Sequence, residues 1–339
     1  MSKHSVFHQG KVSNFFEGKR VLIAGASGMT GHVLFDLMER FCAKVTGTCL
    51  NNNEYYEDGK PIFVEVDFCD KSATSEFFAN NGFDFVFICC AKTYNAFMAK
   101  DYSESMILPN IEMTSNILEN CRRFGVKKVL FISSAIVYQP SFKMLSEEDL
   151  DMNKEPSEIY LGLGWCKRYL EKLCKFYHSH GLTTLVVRPT NIYGRYDKVD
   201  NKHCHVIPAL VMRALRREDP FTVYGNGMSI KDFINVEDFV VDLARIMAFH
   251  DDCSPINVCS GEMVSIREAV NIILKEVGYS PEIKFTSENH DVIPFRCLDN
   301  TKFKSLFGKS DYRKFAEGIK GTIEWYSLLP QIARKSITV

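Results

Sequence analysis

The chain has 339 residues, of which 46% are hydrophobic and 24% charged, with 41 basic against 42 acidic side chains. That mixture excludes intrinsic disorder, and a formal net charge of −1 sets up no global field for nucleic acid or an anionic membrane. No stretch reaches the roughly 18 consecutive apolar residues that span a bilayer, so no membrane partner is expected.

Met1–Arg20 is polar and lacks the apolar core of a signal peptide, which predicts a cytoplasmic protein. The 12 cysteines follow neither a disulfide framework nor zinc spacing, so reduced thiols are expected. The first half then alternates short apolar runs with helix-length segments. Strands are predicted at Arg20–Ala24, Lys44–Thr48, Ile62–Val66, Phe83–Cys89, Lys128–Ile132 and Thr184–Val187, with helices over Met29–Arg40 and about Gly164–His180. After Arg188 the rhythm changes. Asp197–His205 reads as a loop, Val206–Arg217, Val236–Phe249 and Ser265–Glu276 as helices, and Phe221–Tyr224 and Ile256–Val258 as strands. The expected fold class is α/β, a doubly wound parallel (Rossmann) sheet with a smaller C-terminal α/β lobe.

Gly25-x-x-Gly28-x-x-Gly31 follows the first strand directly and opens a helix. Gly25 suits the tight turn, Gly28 the close approach of a pyrophosphate, and Gly31 the packing of helix on sheet. The helix N-terminus adds unpaired N–H groups and partial positive charge. The competing interpretation is a glycine-rich turn without a ligand. Asp67, at the end of the third strand, is placed to accept from an adenine amino group, or it simply opens the next turn. The second strand runs into Thr48-Cys-Leu-Asn51-Asn-Asn with no acid until Glu54, which favours NADP over NAD as the cofactor.

Further motifs follow in order: Asn110-x-x-x-Thr-x-Asn116, Phe131-Ile-Ser-Ser134-Ala-Ile-Val-Tyr138, Lys167-x-x-x-Glu171, and Arg188-Pro-Thr-Asn191-Ile-Tyr-Gly194. Tyr224-Gly-Asn-Gly-Met-Ser-Ile-Lys231-Asp and Pro294-Phe-Arg296-Cys-Leu-Asp299 complete the set. From about Lys19 to Trp325 the chain resembles the extended short-chain dehydrogenases/reductases of the NAD-dependent epimerase/dehydratase family, and within it most resembles the GDP-L-fucose synthases. The resemblance implies an NAD(P)-dependent oxidoreductase or epimerase acting on a nucleoside-diphosphate sugar, with redox at one sugar carbon, C4. It places the cofactor on Gly25, Ser27, Gly28, Met29, Gly31, Asp67, Phe68, Ala91, Asn110, Lys167, Pro189 and Asn191. Substrate contacts fall to Ser134, Asn191, His205, Tyr224, Lys231 and Arg296. The dinucleotide domain is expected at residues 1–188 plus about 231–258, and the nucleotide-sugar lobe at about 189–230 and 259–330. A homodimer is implied, seamed by helices around Ile111–Arg123 and Gly164–His180.

The pattern also departs from the family. Its tyrosine, four residues before the lysine, is here Leu163, which cannot transfer a proton. Tyr160 lies seven residues before Lys167, roughly 10 Å along a helix axis. Gly162 and Gly164 are expected either to let the backbone fold Tyr160 back as catalytic proton donor, or to leave it a buried loop aromatic. Two residues after Ser134, Ile136 replaces a cysteine base, so a full epimerase–reductase or dehydratase cycle is poorly equipped. His205 matches the family's acid histidine, but with that base missing a helix-start histidine bound to backbone is favoured slightly. Lys231 replaces an arginine fork with a point charge. His203-Cys204-His205 is not expected to hold a metal. The alternatives are a catalytically weak cofactor- and sugar-binding protein, or a 4,6-dehydratase-like enzyme with an atypical acid.

Overall fold

Runs of Val, Ile, Leu and Phe separated by amphipathic helices pair in parallel, because each helix returns the chain over the sheet before the next strand begins. In the computed structural model, which describes residues 3–51, 56–57, 60–93, 103–198, 204–286 and 293–329, they form one seven-stranded sheet. Its order is Ile256–Val258, Thr183–Pro189, Lys128–Ile132, Phe85–Ile88, Arg20–Ala24, Lys44–Cys49 and Val64–Glu65, every neighbouring pair parallel. The strand order reverses beside Arg20–Ala24. A crevice therefore opens at the carboxyl ends of that strand and Phe85–Ile88, where such sheets bind ligands.

Alternation along the strands builds two cores. Val21, Ile23, Phe85 and Phe87 face the helices Met29–Arg40 and Val236–Phe249. Leu22, Val86, Ile88 and Phe131 face Lys71–Asn80, Ser103–Arg123 and Leu161–Ser179. Leu22 is fully buried, so truncation to alanine costs about 2–5 kcal/mol. The second lobe has its own core around Ile207, Leu210, Phe221, Val223, Ile273 and Phe315. Ile230–Asn235 is its central strand, parallel to Asn191–Tyr193 and Phe295–Arg296 and antiparallel to Met263–Ser265. Phe221–Tyr224 pairs separately with Ile283–Thr286.

Several boundaries differ from expectation. Phe83–Cys89 shortens to Phe85–Ile88 because the Asp84 carboxylate accepts from Arg20 N at 2.9 Å and closes the ladder there. Of Ile62–Val66, only Val64–Glu65 pairs. The helix expected from Gly164 begins at Leu161, and the helix over Val206–Arg217 ends at Leu215. An N-terminal helix, Lys3–Phe16, had no strong amphipathic signal, yet it buries Val12 and Phe16 against the first core. Among the described residues no helix is long and apolar enough to cross a membrane.

Candidate active site

The glycine turn has the expected conformations. Gly25 sits at φ +86°, and a Cβ there would lie 2.6 Å from Cys90 N and Cα across the strand switch. A Cβ on Gly31 would meet Gly25 O at 2.2 Å, so only glycine lets the helix approach the turn this closely. Gly28 is the N-cap of Met29–Arg40 and has no side chain to cap it, which leaves the first turn open to an anion. Ser27 is half-buried beside it, and Met29 turns its side chain toward the core. Thr48, which the sequence did not single out, holds the loop: its hydroxyl accepts from Gly25 N (3.3 Å) and its carbonyl from Ala26 N (2.7 Å). These residues fit a dinucleotide's phosphates.

Asp67 is exposed, and its Oδ1 accepts from Cys69 N at 2.9 Å, so it does open the next turn. Phe68 is 3% exposed and its ring packs against Phe77, leaving only its backbone to face a ligand. That backbone carbonyl is held by Asn116 Nδ2 at 2.9 Å. Asn110 is buried and clamps the segment beside Ala91, accepting from Lys92 N (3.1 Å) and donating to Lys92 O (2.9 Å) and Met106 O (2.7 Å). Glu54 lies outside the described residues.

Lys167 projects from the helix Leu161–Ser179 into the crevice wall. Its Nζ donates to Ile132 O at 2.9 Å and lies 4.6 Å from the Phe131 ring centroid, and burial lowers its pKa. One turn on, Glu171 accepts from Ser133 Oγ (2.5 Å) and from Arg188 Nε (3.0 Å) and Nη2 (2.8 Å). Arg188 Nη1 also donates to Tyr138 Oη (2.9 Å), which donates to Asn257 Oδ1 (2.8 Å), while Asn257 N donates to Glu147 Oε1 (2.7 Å). This buried network ties three strand ends to the helix that carries Lys167. Ser134 Oγ accepts from Ile136 N at 3.3 Å across the short turn Ala135–Val137, which leaves its own proton to donate.

Leu163 is buried with Met106 and Ile136 in a small apolar cluster, against which Ile159 and Tyr160 pack. Gly162 and Gly164, the two glycines on which the alternatives for Tyr160 turned, both lie within the helix. Gly164 permits close packing, since a Cβ would lie 2.6 Å from Pro156 Cβ and 2.9 Å from Ile136 O. Tyr160 is the half-buried residue just before the helix, with the Arg296 guanidinium 5.5 Å from its ring centroid.

On the second lobe, Lys231 and Arg296 are register partners on adjacent strands. Arg296 Nη2 donates to Asn191 Oδ1 (2.8 Å), Asn191 Nδ2 donates to Asp232 O (2.8 Å), and Lys231 Nζ donates to Ile293 O. Asp232 is fully buried and accepts from Thr190 Oγ1, Ser260 N and Oγ, and Gly261 N, so it fixes the loops around Asn191; nothing in its spacing marked it. Pro189 is buried at a strand end opposite Val258, and Tyr224 is exposed at the end of its strand. His205 corrects the slightly favoured expectation of a backbone cap. Its Nδ1 lies 3.1 and 3.2 Å from the two carboxylate oxygens of buried Asp197 and makes no cap hydrogen bond. Burial lowers its pKa, but Asp197 outweighs burial and the cations Lys198 and Arg296, so the net shift is upward. Among the described residues no group of three or more metal-ligating side chains converges, and His203 lies outside them.

The sequence profile described as NAD dependent epimerase/dehydratase family matches residues 21–259. GDP-L-fucose synthase of Escherichia coli (strain K12) is 27% identical over 329 residues, covering 91% of this chain and 96% of that protein. UDP-N-acetyl-alpha-D-glucosaminuronate decarboxylase of Bacillus cytotoxicus is 30% identical over 319 residues, covering 91% and 98%. The structure of a GDP-L-fucose synthetase from Naegleria fowleri bound to NADP superposes with a TM-score of 0.79 at 23% identity, over 91% of this chain and 94% of that one. An extended short-chain dehydrogenase/reductase is the class that this sheet, glycine turn and lysine define. The chain belongs to the NAD dependent epimerase/dehydratase family, whose enzymes depend on NAD(P).

Proposed function

We propose that the protein is an NAD(P)-dependent oxidoreductase/epimerase that carries out redox at C4 of a nucleoside-diphosphate sugar, with NADP the favoured cofactor. The carrying observation is a buried ammonium, Lys167, held by Ile132 O in the wall of the crevice that the glycine turn opens. A bound nicotinamide supplies or accepts hydride there. Gly25, Ser27, Gly28, Met29 and Gly31 take its phosphates, Asp67 and the Phe68 backbone its adenine end, and Ala91, Asn110 and Pro189 line its path. Lys167 retains two N–H groups for ribose hydroxyls, and Ser134 donates to the sugar oxygen at the reacting carbon. Asn191, Lys231 and Arg296 bind the diphosphate, with His205 and Tyr224 on the same side. Leu163 supplies no proton, so the catalytic donor is another group. The titratable candidates are Tyr160, whose ring the Arg296 guanidinium approaches, and His205, on which the same charge acts.

The residue division expected at 231 shifts to about 236, because Ile230–Asn235 pairs within the second lobe and not with the seven-stranded sheet: residues 1–188 with about 236–258 serve the dinucleotide, and about 189–235 with 259–330 the sugar. A cytoplasmic homodimer completes the proposal. Leu161, Tyr169 and Phe176 lie exposed along one helix beside Ser103–Arg123, which suits a seam between copies. One observation favours a second reading, a binding protein with little turnover: the family's tyrosine position is packed into an apolar cluster.

The deciding experiment measures deuteride transfer from labelled NADPH or NADH to nucleoside-diphosphate 4-keto sugars, beside mass spectrometry of nucleotides released from the purified protein. Label at C4 supports the enzyme. Bound nucleotides with no transfer to any sugar would replace it with the binding protein, and absence of both would reject the two together.

A further inference from the structure

Leu163 and Ile136 carry no proton, and burial pushes the Cys90 thiol up to about 12. His205 differs, because a buried carboxylate is aimed at one of its ring nitrogens. Asp197 presents both oxygens to Nδ1 at 3.1 and 3.2 Å and is itself fixed, Oδ1 accepting from Lys198 N at 2.8 Å and its carbonyl from Tyr326 Oη at 3.3 Å. The Nδ1–H is therefore committed to Asp197, and Nε2 is left for another partner on a half-exposed side chain.

Building on the oxidoreductase reading, we propose that His205 Nε2–H delivers the proton to the sugar oxygen, in place of the absent tyrosine, and that Asp197 is the positioning residue that orients the ring. As hydride reaches the carbonyl carbon, the C=O π pair moves to oxygen. That oxygen takes the proton from Nε2, the N–H bonding pair stays on the ring, and solvent reprotonates the neutral imidazole. The sugar is reduced and the dinucleotide oxidised; the opposite direction reverses each step. Electrostatics favours the same assignment. Among the described residues the charged groups acting on His205 are Lys198 and Arg296, which oppose protonation, and Asp197, which restores it. Tyr326 meets Asp197 through its hydroxyl and carries no charge in its protonated form.

The test is the pH profile of kcat/KM for sugar reduction in wild type, D197N, D197E, H205Q and Y160F, with His205 ring titration by NMR in wild type and D197N. The side-chain amide in D197N would offer an N–H to Nδ1 and hold the neutral ring. The alkaline limb and the ring pKa should then both fall by about one unit or more in D197N, with kcat reduced more than KM is raised. D197E should recover part of both. H205Q should lose about a hundredfold in kcat and the limb itself, and it removes a half-exposed side chain, so it decides the matter even if D197N does not fold. A limb that stays in place in H205Q, or that vanishes in Y160F instead, would overturn the assignment while leaving the oxidoreductase standing. Absence of turnover by wild type on any nucleotide sugar would overturn both.

Discussion

Glu171→Ala tests how much the Lys167 helix depends on one buried carboxylate. Glu171 accepts three hydrogen bonds, from Ser133 Oγ at 2.5 Å and from the Arg188 fork at 3.0 and 2.8 Å, with the two charged side chains only 8% and 4% exposed. Removing it strands a buried guanidinium that keeps Tyr138 Oη and a long contact to Glu147 O, at 3.4 Å. Breaking a buried pair from one side costs about 3–5 kcal/mol. Replacing both partners by apolar groups of similar volume removes the stranded charge, so E171L/R188M should recover most of that loss. Urea unfolding of the two variants against wild type measures the difference, and an unchanged slope shows that the comparison holds. Activity should separate from stability. Ser133 neighbours Ser134, and Lys167 is one turn from Glu171, so kcat should stay low in the double variant even where stability returns. A loss below about 1 kcal/mol in E171A would show that the pair is not the brace described here.

Gly31→Ala pushes a Cβ to 2.2 Å from Gly25 O and 2.8 Å from Ala26 Cα, an overpacking of about 1–3 kcal/mol. Calorimetry should show dinucleotide affinity down about tenfold or more with the fold retained; unchanged affinity would mean that the turn binds no phosphate. Asp242 is buried against Tyr312, Ser310 and Arg245, and burial raises its pKa from 3.8 to about 6. Because the fold binds this proton more tightly than the unfolded chain, the ionised form carries a penalty that is absent below about pH 4, grows up to about 6 and is complete above. Urea midpoints should fall across that window in wild type, and less so in D242N. Y169E/F176E places two carboxylates on the exposed helix face and should turn a dimer into a monomer in sedimentation, with an unchanged wild-type mass of one chain refuting the seam.

Local chemistry made much of this protein readable. The glycine spacing, the strand before it and the helix after it are contiguous, and a backbone turn obeys rules that a short window contains. Arg20–Ala24 and Lys128–Ile132 fall where the apolar runs put them, since parallel strands covered on both faces need near-continuous hydrophobic side chains. Phe68 shows the limit: its position beside Asp67 was evident, but which way its ring points follows from Phe77 on the next helix. The same holds for the chemistry. That Leu163 carries no hydroxyl is written in the chain, whereas its burial with Met106, 57 positions earlier by number, depends on how two helices pack. Glu171 with Arg188, Asp232 with Thr190 and Ser260, and Asp197 with His205 join residues separated by loops or whole elements. Such pairs have no characteristic spacing. They form because burial strips water from a charge and leaves it to whichever donor the fold has brought within reach.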